Sequence, residues 1–323
     1  MAKKIFVTRR IPDVGITMLR EAGFEVDIRE GDAPPTEKEL IAALGKTSYD
    51  GVLCLLTDRI DKNIFDAAPS VTIFANYAAG YDNIDCVESK RRGIVVTNTP
   101  GISSDAVAEH TIALVFALTT RLVEGDSYDR AGKYSGWSPT RLVGTDVGGK
   151  LIGLVGVGNI GSRVAEMMHL GFGAQVVYYD VTPNTRLEER CGARRRETLE
   201  ELLREADIVS LHVPLLDSTR HLINEERLRL MKPSAFLVNT SRGPVVDEAM
   251  LVKALQDKKI RGAALDVFEF EPRLTPGLTE LENVVLTPHI ASARESVRNE
   301  MARIAAQNII DFFAGKTPQN AVV

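Results

Sequence analysis

The chain has 323 residues, of which 44% are hydrophobic and 26% are charged, and its formal net charge at pH 7 is −5. This composition is ordinary for a globular protein, and the length is comfortable for two domains. The slightly acidic balance gives no electrostatic footprint for nucleic acid, and no stretch approaches the ~18 apolar residues of a membrane span. We therefore expect neither a nucleic-acid partner nor a membrane partner.

The cysteine pattern indicates the redox environment of the protein. Cys54, Cys86 and Cys191 are scattered and lack Cys-x-x-Cys spacing. This pattern argues against a disulfide framework or a zinc site, and it favours a reducing, cytoplasmic location. The opening residues 1–10 have too short an apolar run for a signal peptide and are predicted to hold the first strand.

The first hundred residues alternate between strand and helix patterns. Strands are predicted at 3–8, 24–28, 51–55, 72–75 and 94–96. Helices are predicted at 13–22, from the Pro-Pro-Thr start at 34–36 onward, at 62–67 and at 83–91. Because such alternation is typical of a parallel sheet covered on both faces, residues 1–99 are expected to form an α/β unit of their own.

A breaker cluster separates this unit from the rest of the chain. Residues 98–101 read Asn-Thr-Pro-Gly and are a predicted hinge. Ser103, Ser104 and Asp105 offer N-caps for the helix that follows, which runs to residue 121. Residues 122–148 are rich in glycine and weakly patterned, so we predict an extended arm or loop there, with Trp137 as a packed aromatic side chain.

The stretch 150–180 carries the most informative motif. A predicted strand leads into GVGNIG at 156–161, and a helical pattern and a second strand follow. Gly156 permits a tight turn, Gly158 lets backbone approach a pyrophosphate, and Gly161 allows close helix–strand packing. Phosphates would lie at the helix N-terminus, where N–H groups and the dipole favour anions. Asp180 ends the second strand at about the 20-residue distance expected of an acid that binds ribose hydroxyls, so the stretch predicts dinucleotide binding.

The strand–helix alternation continues beyond the glycine loop. Strands are predicted at 151–155, 175–179, 207–211, 235–239, 262–266 and 284–287. Helices are predicted at 160–170, 198–205, 224–230 and 247–256. Together they predict a doubly wound sheet, with the basic run 194–196 on a solvated face.

One long helix is predicted after His289, and Gly315 ends it. Because this helix follows the cofactor unit, we expect it to pack back on the first domain. The predicted substrate domain is therefore discontinuous and comprises residues 1–99 and 290–323. Residues 100–289 are the predicted dinucleotide-binding domain, and the second connection, near 288–292, is a second predicted hinge.

Polar residues follow several strands of the second unit, where open α/β sheets bind their ligands. An arginine can hold a carboxylate or carbonyl through two parallel hydrogen bonds. A histidine exchanges protons near neutral pH, and an adjacent carboxylate favours its charged form. Such a set suits hydride transfer to a 2-oxo acid. Its members are His212, Arg242, Asp266, Glu269, Glu271 and His289.

Six segments in the same order resemble the D-2-hydroxyacid dehydrogenase family over essentially the whole chain. They are 76–85 (NYAAGYDNID), 105–109 (DAVAE), the glycine loop, 239–243 (NTSRG), 266–272 (DVFEFEP) and 287–291 (TPHIA). The resemblance implies an α/β fold with two doubly wound parallel-sheet domains, a flavodoxin-like substrate domain and a Rossmann cofactor domain, with a cleft between them. It also implies a homodimer joined through the cofactor domains, at the helix 104–121 and the arm after it.

The resemblance assigns the catalytic roles to Arg242, Glu271 and His289, and it leaves Glu269 outside the acid–base pair. It implies an NAD(P)-dependent oxidoreductase without a metal site.

The same resemblance implies the binding residues. A backbone clamp for the substrate carboxylate falls on Ala79 and Gly80, with Arg242 as a further substrate contact. His212 is expected to pack beside the cofactor and not to act as an acid or base. Cofactor contacts are implied at Val107, Gly156, Gly158, Asn159, Ile160, Gly161, Asp180, Val213, Pro214, Thr219, Thr240, Ser241, Arg242, Asp266, His289 and Ala291.

Within the family, four segments are most similar to glyoxylate/hydroxypyruvate reductases: 5–26, 76–85, 96–101 and 136–150. The expected reaction is reduction of glyoxylate or hydroxypyruvate to glycolate or D-glycerate. Ala79 stands where the family usually has Val, beside the expected substrate. A D-3-phosphoglycerate or D-lactate type dehydrogenase and a dinucleotide-sensing, corepressor-like scaffold remain alternatives. Formate oxidation is disfavoured, because that branch lacks a carboxylate paired with its histidine.

Asp180 also bears on cofactor choice. It places a carboxylate where the 2′-phosphate of NADP would lie, and like charges repel. Residues 181–184 offer no cation, and Arg186 is the first one. NAD(H) is therefore the expected cofactor, with NADP(H) as the alternative.

Overall fold

The computed structural model describes residues 2–323, which divide into two compact units. One unit comprises the residues up to Ser103 together with Ala293–Val323, and the other comprises Ser104–Ser292. Each unit is built around its own parallel sheet with helices between the strands. The predicted fold class, two doubly wound parallel-sheet α/β domains, is confirmed.

The first unit holds a five-stranded sheet with the strand order β2-β1-β3-β4-β5. Its strands are β1 (Lys4–Val7), β2 (Glu25–Ile28), β3 (Gly51–Leu55), β4 (Ile73–Tyr77) and β5 (Val95–Thr97). Its helices are α1 (Asp13–Glu21), α2 (Glu37–Leu44), α3 (Lys62–Ala67), α4 (Cys86–Arg92) and the C-terminal helix α12 (Glu295–Phe313).

Alternate residues of these strands bury opposite faces of the sheet, as the two-residue period of a strand requires. On one face Phe6 and Phe74 pack with Leu40 and Ile64 from α2 and α3. On the other face α12 packs against β4, and α1 packs against α12. The sheet is therefore covered on both faces.

The second unit holds a seven-stranded sheet with the order β12-β11-β10-β9-β6-β7-β8. Its strands are β6 (Leu151–Val155), β7 (Gln175–Tyr179), β8 (Arg194–Arg195), β9 (Ile208–Leu211), β10 (Phe236–Asn239), β11 (Gly262–Leu265) and β12 (Val284–Leu286). Its helices are α5 (Ser104–Thr119), α6 (Leu122–Arg130), α7 (Asn159–Phe172), α8 (Thr185–Cys191), α9 (Leu199–Glu205), α10 (Glu225–Leu228) and α11 (Glu248–Gln256).

Two hydrophobic cores cover the two faces of the second sheet. Leu154 and Tyr178 belong to the core that also contains residues of α5, α7 and α8. Their sequence neighbours Val155 and Val177 belong to the opposite core, which contains residues of α9, α10 and α11. Because all paired strands of this sheet are parallel, the residues that follow them meet at one edge.

The segment after α5 differs from the predicted extended arm. Residues 122–130 form α6, which buries none of its side chains and therefore shows no apolar period in the sequence. Pairs along its surface, Arg121 with Glu124 and Asp126 with Arg130, support it instead. Trp137 is 85% exposed, so the expectation of a packed aromatic side chain is wrong.

The basic run 194–196 also differs from the expected solvated face. Residues 194 and 195 form the edge strand β8 after α8, two short elements that the sequence pattern did not reveal. Arg196 forms an ion pair with Glu205, and Arg195 donates a hydrogen bond to the backbone oxygen of Asp180 at 3.1 Å. The run is therefore part of the fold around β7.

Smaller differences affect helix ends. The helix predicted from residue 83 begins at Cys86, because the Asp85 carboxylate caps it by accepting from the N–H of Glu88. Helix α10 spans fewer residues than predicted, and α12 begins at Glu295 and ends before Gly315, which has a positive φ of 75°.

Among residues 2–323, no single helix is long and apolar enough to cross a membrane; only α5 and α6 taken together, with a 60° bend between them, reach that length and composition. No group of three or more His, Cys, Asp or Glu side chains in this range is arranged to hold a metal ion.

Two helical glycines give opposite stability predictions. A Cβ at Gly15 would lie 2.7 Å from the backbone oxygen of Ala302 on α12, whereas a Cβ at Gly125 would meet nothing closer than 3.9 Å. Gly15→Ala should therefore lower the free energy of unfolding by ~1–3 kcal/mol through overpacking. Gly125→Ala should raise it by ~0.5–1 kcal/mol, because alanine loses less conformational entropy in a helix. Urea unfolding followed by circular dichroism checks both, and equal effects would contradict the packing assignment.

Candidate active site

The three glycines of the loop between β6 and α7 have different structural surroundings. Gly156 has a φ of +89°, and a Cβ there would lie 3.0 Å from the backbone of His212. A Cβ at Gly161 would lie 2.1 Å from the oxygen of Gly156, so α7 can approach the loop only with glycine there. A Cβ at Gly158, the N-cap of α7, would meet nothing within 4 Å. The backbone before α7 is therefore open to a phosphate at the helix N-terminus.

Asp180, directly after β7, holds the glycine loop from the side. Its Oδ2 accepts a hydrogen bond from the N–H of Val157 at 2.8 Å. Asn184 donates to the Val157 oxygen at 2.9 Å, so both backbone polar groups of Val157 are fixed. Arg195 lies at the backbone of Asp180, and its Nε is buried without a partner among residues 2–323. A cation therefore stands nearer to Asp180 in space than the sequence distance suggests.

His212 follows β9 and packs against the glycine loop. Its Nε2 lies 2.9 Å from Ser210 Oγ, and its Nδ1 is buried without a hydrogen-bond partner in the described part of the chain. Burial lowers the pKa of His212 to about 4. The imidazole is therefore neutral at physiological pH, which agrees with its predicted role in packing and not in proton transfer.

Arg242 leaves the sheet in a tight turn after β10. The Asn239 side chain accepts from the N–H and hydroxyl of Ser241, at 3.0 and 2.7 Å, and donates to the oxygen of Arg242 at 2.9 Å. Thr240 lies 2.8 Å from Thr111 on α5, oxygen to oxygen. The guanidinium of Arg242 donates to the Ser241 oxygen at 2.8 Å, so a backbone group of the same turn restrains this side chain.

Asp266 is fully buried after β11 and joins three segments. Its carboxylate accepts from Thr287 Oγ1 at 2.6 Å and from the N–H groups of Ile290 and Ala291 at 2.9 and 2.8 Å. His110 on α5 lies 3.4 Å away through Nε2. Burial alone would raise the pKa of Asp266, but these hydrogen bonds outweigh burial and hold it below its usual value.

His289 lies in the loop that Asp266 anchors. It has a φ of +53°, which non-glycine residues rarely adopt, and its N–H donates to the backbone oxygen of Asp266 at 2.8 Å. Its Nδ1 lies 3.0 Å from Glu271 Oε2. The other oxygen, Glu271 Oε1, accepts from the N–H of Phe268 at 3.0 Å. Glu271 is thus fixed at both oxygens, and Nε2 of His289 is left without a protein partner among residues 2–323.

Glu269, two residues before Glu271, points to a different histidine. Its Oε1 lies 2.6 Å from His221 Nε2, and its Oε2 accepts from the N–H of Glu248. Glu269 and Glu271 therefore serve different partners.

The remaining predicted cofactor residues of this unit lie on α5, at the start of α7 and in the loop after β9. Val107 is buried on α5, and Asn159 and Ile160 open α7. Thr219 closes the loop that contains Val213 and Pro214, because its hydroxyl donates to the Pro214 oxygen at 2.6 Å.

The predicted carboxylate clamp lies in the first unit, in the loop after β4. Three consecutive carbonyl groups of this loop are held by the protein: Thr99 N–H donates to Ala78 at 2.8 Å, Asn98 Nδ2 to Ala79 at 2.7 Å and Asn76 Nδ2 to Gly80 at 2.9 Å. The N–H groups of Ala79 and Gly80 have no acceptor among the described residues. A backbone with its carbonyls tied back and its N–H groups unpaired suits an anion.

Comparisons with known proteins decide the family. A sequence model of the D-isomer specific 2-hydroxyacid dehydrogenase NAD binding domain matches residues 112–291. A glyoxylate reductase of Thermofilum pendens is 47% identical over 318 residues, which cover 98% of this chain and 93% of that protein. A glyoxylate reductase of Korarchaeum cryptofilum is 47% identical over 325 residues, which cover 100% and 96%. The chain belongs to the D-isomer specific 2-hydroxyacid dehydrogenase family.

Solved structures share this fold over nearly the whole chain. The TT0316 protein from Thermus thermophilus matches with a TM-score of 0.91 at 42% identity, covering 99% of this chain and 100% of that one. An NADPH-dependent glyoxylate/hydroxypyruvate reductase from Sinorhizobium meliloti, solved with NADP and malonate, matches with a TM-score of 0.88 at 32% identity, covering 100% and 97%. The assignment to this family, and with it to the oxidoreductases, is confirmed.

Sequence reasoning missed four residues around the site of this oxidoreductase. His110 contacts Asp266, His221 contacts Glu269, Glu248 contacts the loop of Glu271, and Arg195 contacts Asp180. None of these four residues comes directly after a strand of the second sheet. The set of strand-end residues therefore could not include them. A signal existed only for His110, which directly follows the DAVAE segment.

Gly243 offers a test of how tightly this site is built. A Cβ at this position would lie 1.9 Å from the backbone carbonyl of Phe268, in the loop that carries Glu271. Gly243→Ala must displace that loop or Arg242, and a displacement of about 1 Å is expected to reduce kcat/KM by ~10²-fold. Gly171→Ala on α7, where a Cβ meets nothing within 4 Å, is the control and should keep wild-type activity. A Gly243→Ala enzyme within twofold of wild type would contradict the close packing.

Proposed function

We propose that the enzyme reduces a small 2-oxo acid, glyoxylate or hydroxypyruvate, to glycolate or D-glycerate with a nicotinamide cofactor. The observation that carries the proposal is the pair His289–Glu271, in which Nδ1 contacts the carboxylate at 3.0 Å and Nε2 is left for a ligand. The names of the relatives, glyoxylate reductase and glyoxylate/hydroxypyruvate reductase, support the substrate class.

The residues present fit a dinucleotide. Gly158 leaves room for a pyrophosphate at the N-terminus of α7, and the Asp180 carboxylate lies beside that loop. Asp266, with Thr240 and Ser241, would hold the nicotinamide end near the strand edge. When bound, NAD(P)H supplies the hydride to the carbonyl carbon.

The protein's own residues bind the substrate and deliver the proton. The Arg242 guanidinium holds the carboxylate or carbonyl of the 2-oxo acid through its fixed fork of donors. The His289 imidazolium donates a proton from Nε2 to the substrate oxygen as that oxygen gains negative charge. Glu271 stabilises the imidazolium through Nδ1 and keeps the ring oriented. In the reverse direction neutral His289 accepts the hydroxyl proton.

The first unit contributes the carboxylate clamp in this proposal. The N–H groups of Ala79 and Gly80 bind the substrate carboxylate, and Asn76 and Asn98 hold their carbonyls away from it. Asn98 is itself held, because Asn308 on α12 donates to its oxygen at 3.2 Å. In this proposal residues 1–99 and 290–323 form the substrate domain, and residues 100–289 form the cofactor domain.

Steady-state kinetics test the reaction and the acid–base pair together. We expect glyoxylate and hydroxypyruvate to give the highest kcat/KM in a panel that includes pyruvate and 3-phosphohydroxypyruvate. Glu271→Gln should move the basic limb of kcat/KM for reduction to lower pH, because the imidazolium loses its charge partner. His289→Ala should lower kcat/KM for reduction by ~10²–10⁴-fold, the usual contribution of a positioned acid.

A different ranking of substrates would move the enzyme to another branch of the family. Absence of turnover with every member of the panel would contradict the proposal. A Glu271→Gln enzyme with the wild-type pH profile would show that the pairing has no role in catalysis.

We infer a preference for NADH over NADPH. The Asp180 carboxylate would repel a 2′-phosphate, and a like-charge contact of ~1–4 kcal/mol corresponds to roughly fivefold to several-hundredfold in kcat/KM. Asp180→Ala should narrow the difference, because it removes the repelling charge. Arg195→Gln is the matched test of the nearest cation and should weaken NADPH use more than NADH use. Equal kcat/KM for both cofactors in the wild type would contradict the preference.

We also propose a homodimer joined through the cofactor domains and situated in the cytoplasm. Large apolar side chains are exposed along α6 and the following segment, including Leu122 at 65% and Trp137 at 85%. A cavity of about 610 Å³ lies beside them, lined in part by Leu118, Tyr128 and Phe236. Several large exposed apolar side chains in one segment favour a protein–protein interface there.

Sedimentation velocity tests the dimer. The wild type should sediment as a dimer, and Leu122→Asp together with Trp137→Ala should shift it towards monomer, because a charge and a void replace apolar contacts. Val87→Asp, at an equally exposed apolar position in the other unit, is the control and should leave the dimer intact. A monomeric wild type at micromolar concentration would contradict the proposal.

A further inference from the structure

A second acidic cluster lies directly behind the loop that carries Glu271. Glu248, the first residue of α11, is only 1% exposed. Its Oε1 accepts from the N–H of Glu269 at 2.6 Å, and its Oε2 accepts from Thr275 Oγ1 at 2.6 Å. One buried carboxyl group therefore ties two points of the loop, before and after Glu271.

The contact between helix and loop is reciprocal. The N–H of Glu248 donates to Glu269 Oε2 at 3.2 Å, while Glu269 Oε1 pairs with His221 at 2.6 Å. The loop is also closed on itself, since Arg273 N–H donates to the Phe270 oxygen at 2.9 Å. The backbone on both sides of Glu271 is therefore restrained from α11 and from the loop after β9.

Burying the Glu248 carboxyl group near other acidic side chains costs folding free energy. Burial raises the pKa of Glu248, the hydrogen bonds from Thr275 and Glu269 oppose that rise, and the negative charges of Glu269 and Glu271 add to it. His221 contacts this cluster through Glu269, and Asp266 and Arg242 lie at the neighbouring strand ends. A buried acid near two others is a poor choice for stability alone.

We propose that Glu248 is a positioning residue for the acid–base pair: its carboxyl group ties residues 269 and 275 and thereby holds Glu271 against His289. The proposal rests on the proposed function, because it concerns the same pair. The effect of Glu248 on His289 is transmitted in two steps. Glu248 holds the Glu269 peptide, and the loop that follows places Glu271 Oε2 at 3.0 Å from His289 Nδ1.

The test uses a readout that does not require turnover. The ring-proton NMR titration of His289, assigned by comparison with His289→Gln, reports how strongly Glu271 supports the imidazolium. In Glu248→Ala the midpoint should differ from the wild-type value in the same direction as in Glu271→Gln, because the Glu271 carboxylate is no longer held against Nδ1. Glu248→Gln should restore most of the wild-type midpoint, since its amide oxygen can accept from Glu269 and its amide nitrogen can donate to Thr275.

Two further variants separate positioning from general destabilisation. Asp247→Ala removes the N-cap of the same helix, whose carboxylate accepts from the N–H of Met250, without touching the loop. It should lower the Tm but leave the His289 titration unchanged. Thr275→Val removes only one of the two ties; it should shift the midpoint in the same direction by less, and it serves if Glu248→Ala does not fold.

A double variant shows whether the effect runs through Glu271. Glu248→Ala combined with Glu271→Gln should give the same midpoint as Glu271→Gln alone, because the carboxylate that Glu248 positions is then absent. An additive shift, or a wild-type midpoint in both Glu248→Ala and Thr275→Val, would overturn the proposal. If the wild type turned over no 2-oxo acid, only the proposed function would be contradicted. The titration reports the contact between His289 and Glu271 independently of turnover.

Discussion

The hydrogen bonds of the buried Asp266 carboxylate are the interaction on which the position of His289 depends. It joins the end of β11 to the segment after β12 and lies within reach of His110 on α5. An ionised carboxyl group in the interior is costly unless donors surround it, and here hydroxyl and N–H donors do so. The same donors belong to the residues next to His289. The hydrogen bonds that compensate the buried charge of Asp266 therefore also place the imidazole of His289.

Close backbone approaches impose a second constraint on the site. Gly161 and Gly243 each stand where a Cβ would lie well inside the van der Waals contact distance of a backbone atom. In the first case α7 lies against the glycine loop, and in the second the turn after β10 lies against the loop of Glu271. The site is thus assembled from backbone segments in direct contact, which leaves little freedom for the side chains that they carry. This rigidity suits catalysis, because positioned donors need no reorganisation during the reaction.

Several features of fold and site followed from sequence pattern because they depend on local chemistry. The strands β3, β6 and β7 have their predicted bounds, since a short apolar run between turn residues determines a strand locally. Helix α6 was missed because it buries no side chain and so has no apolar period. The edge strand β8 was missed because two basic residues carry no strand pattern. Both elements owe their existence to neighbours distant in sequence or to ion pairs on their own surface.

The sequence by itself determined the order of elements, the glycine loop and the residue types at the strand ends. These are local properties, set by turn chemistry and by the period of apolar residues. The family resemblance implied that Glu271 pairs with His289, but only the tertiary structure shows both pairs, Glu271 with His289 and Glu269 with His221. Glu269 and Glu271 lie on one loop, and their partners, His221 and His289, lie 48 and 18 residues away along the chain. The pairing depends on how strands that end at one sheet edge place their loops, and no spacing in the sequence encodes that distance.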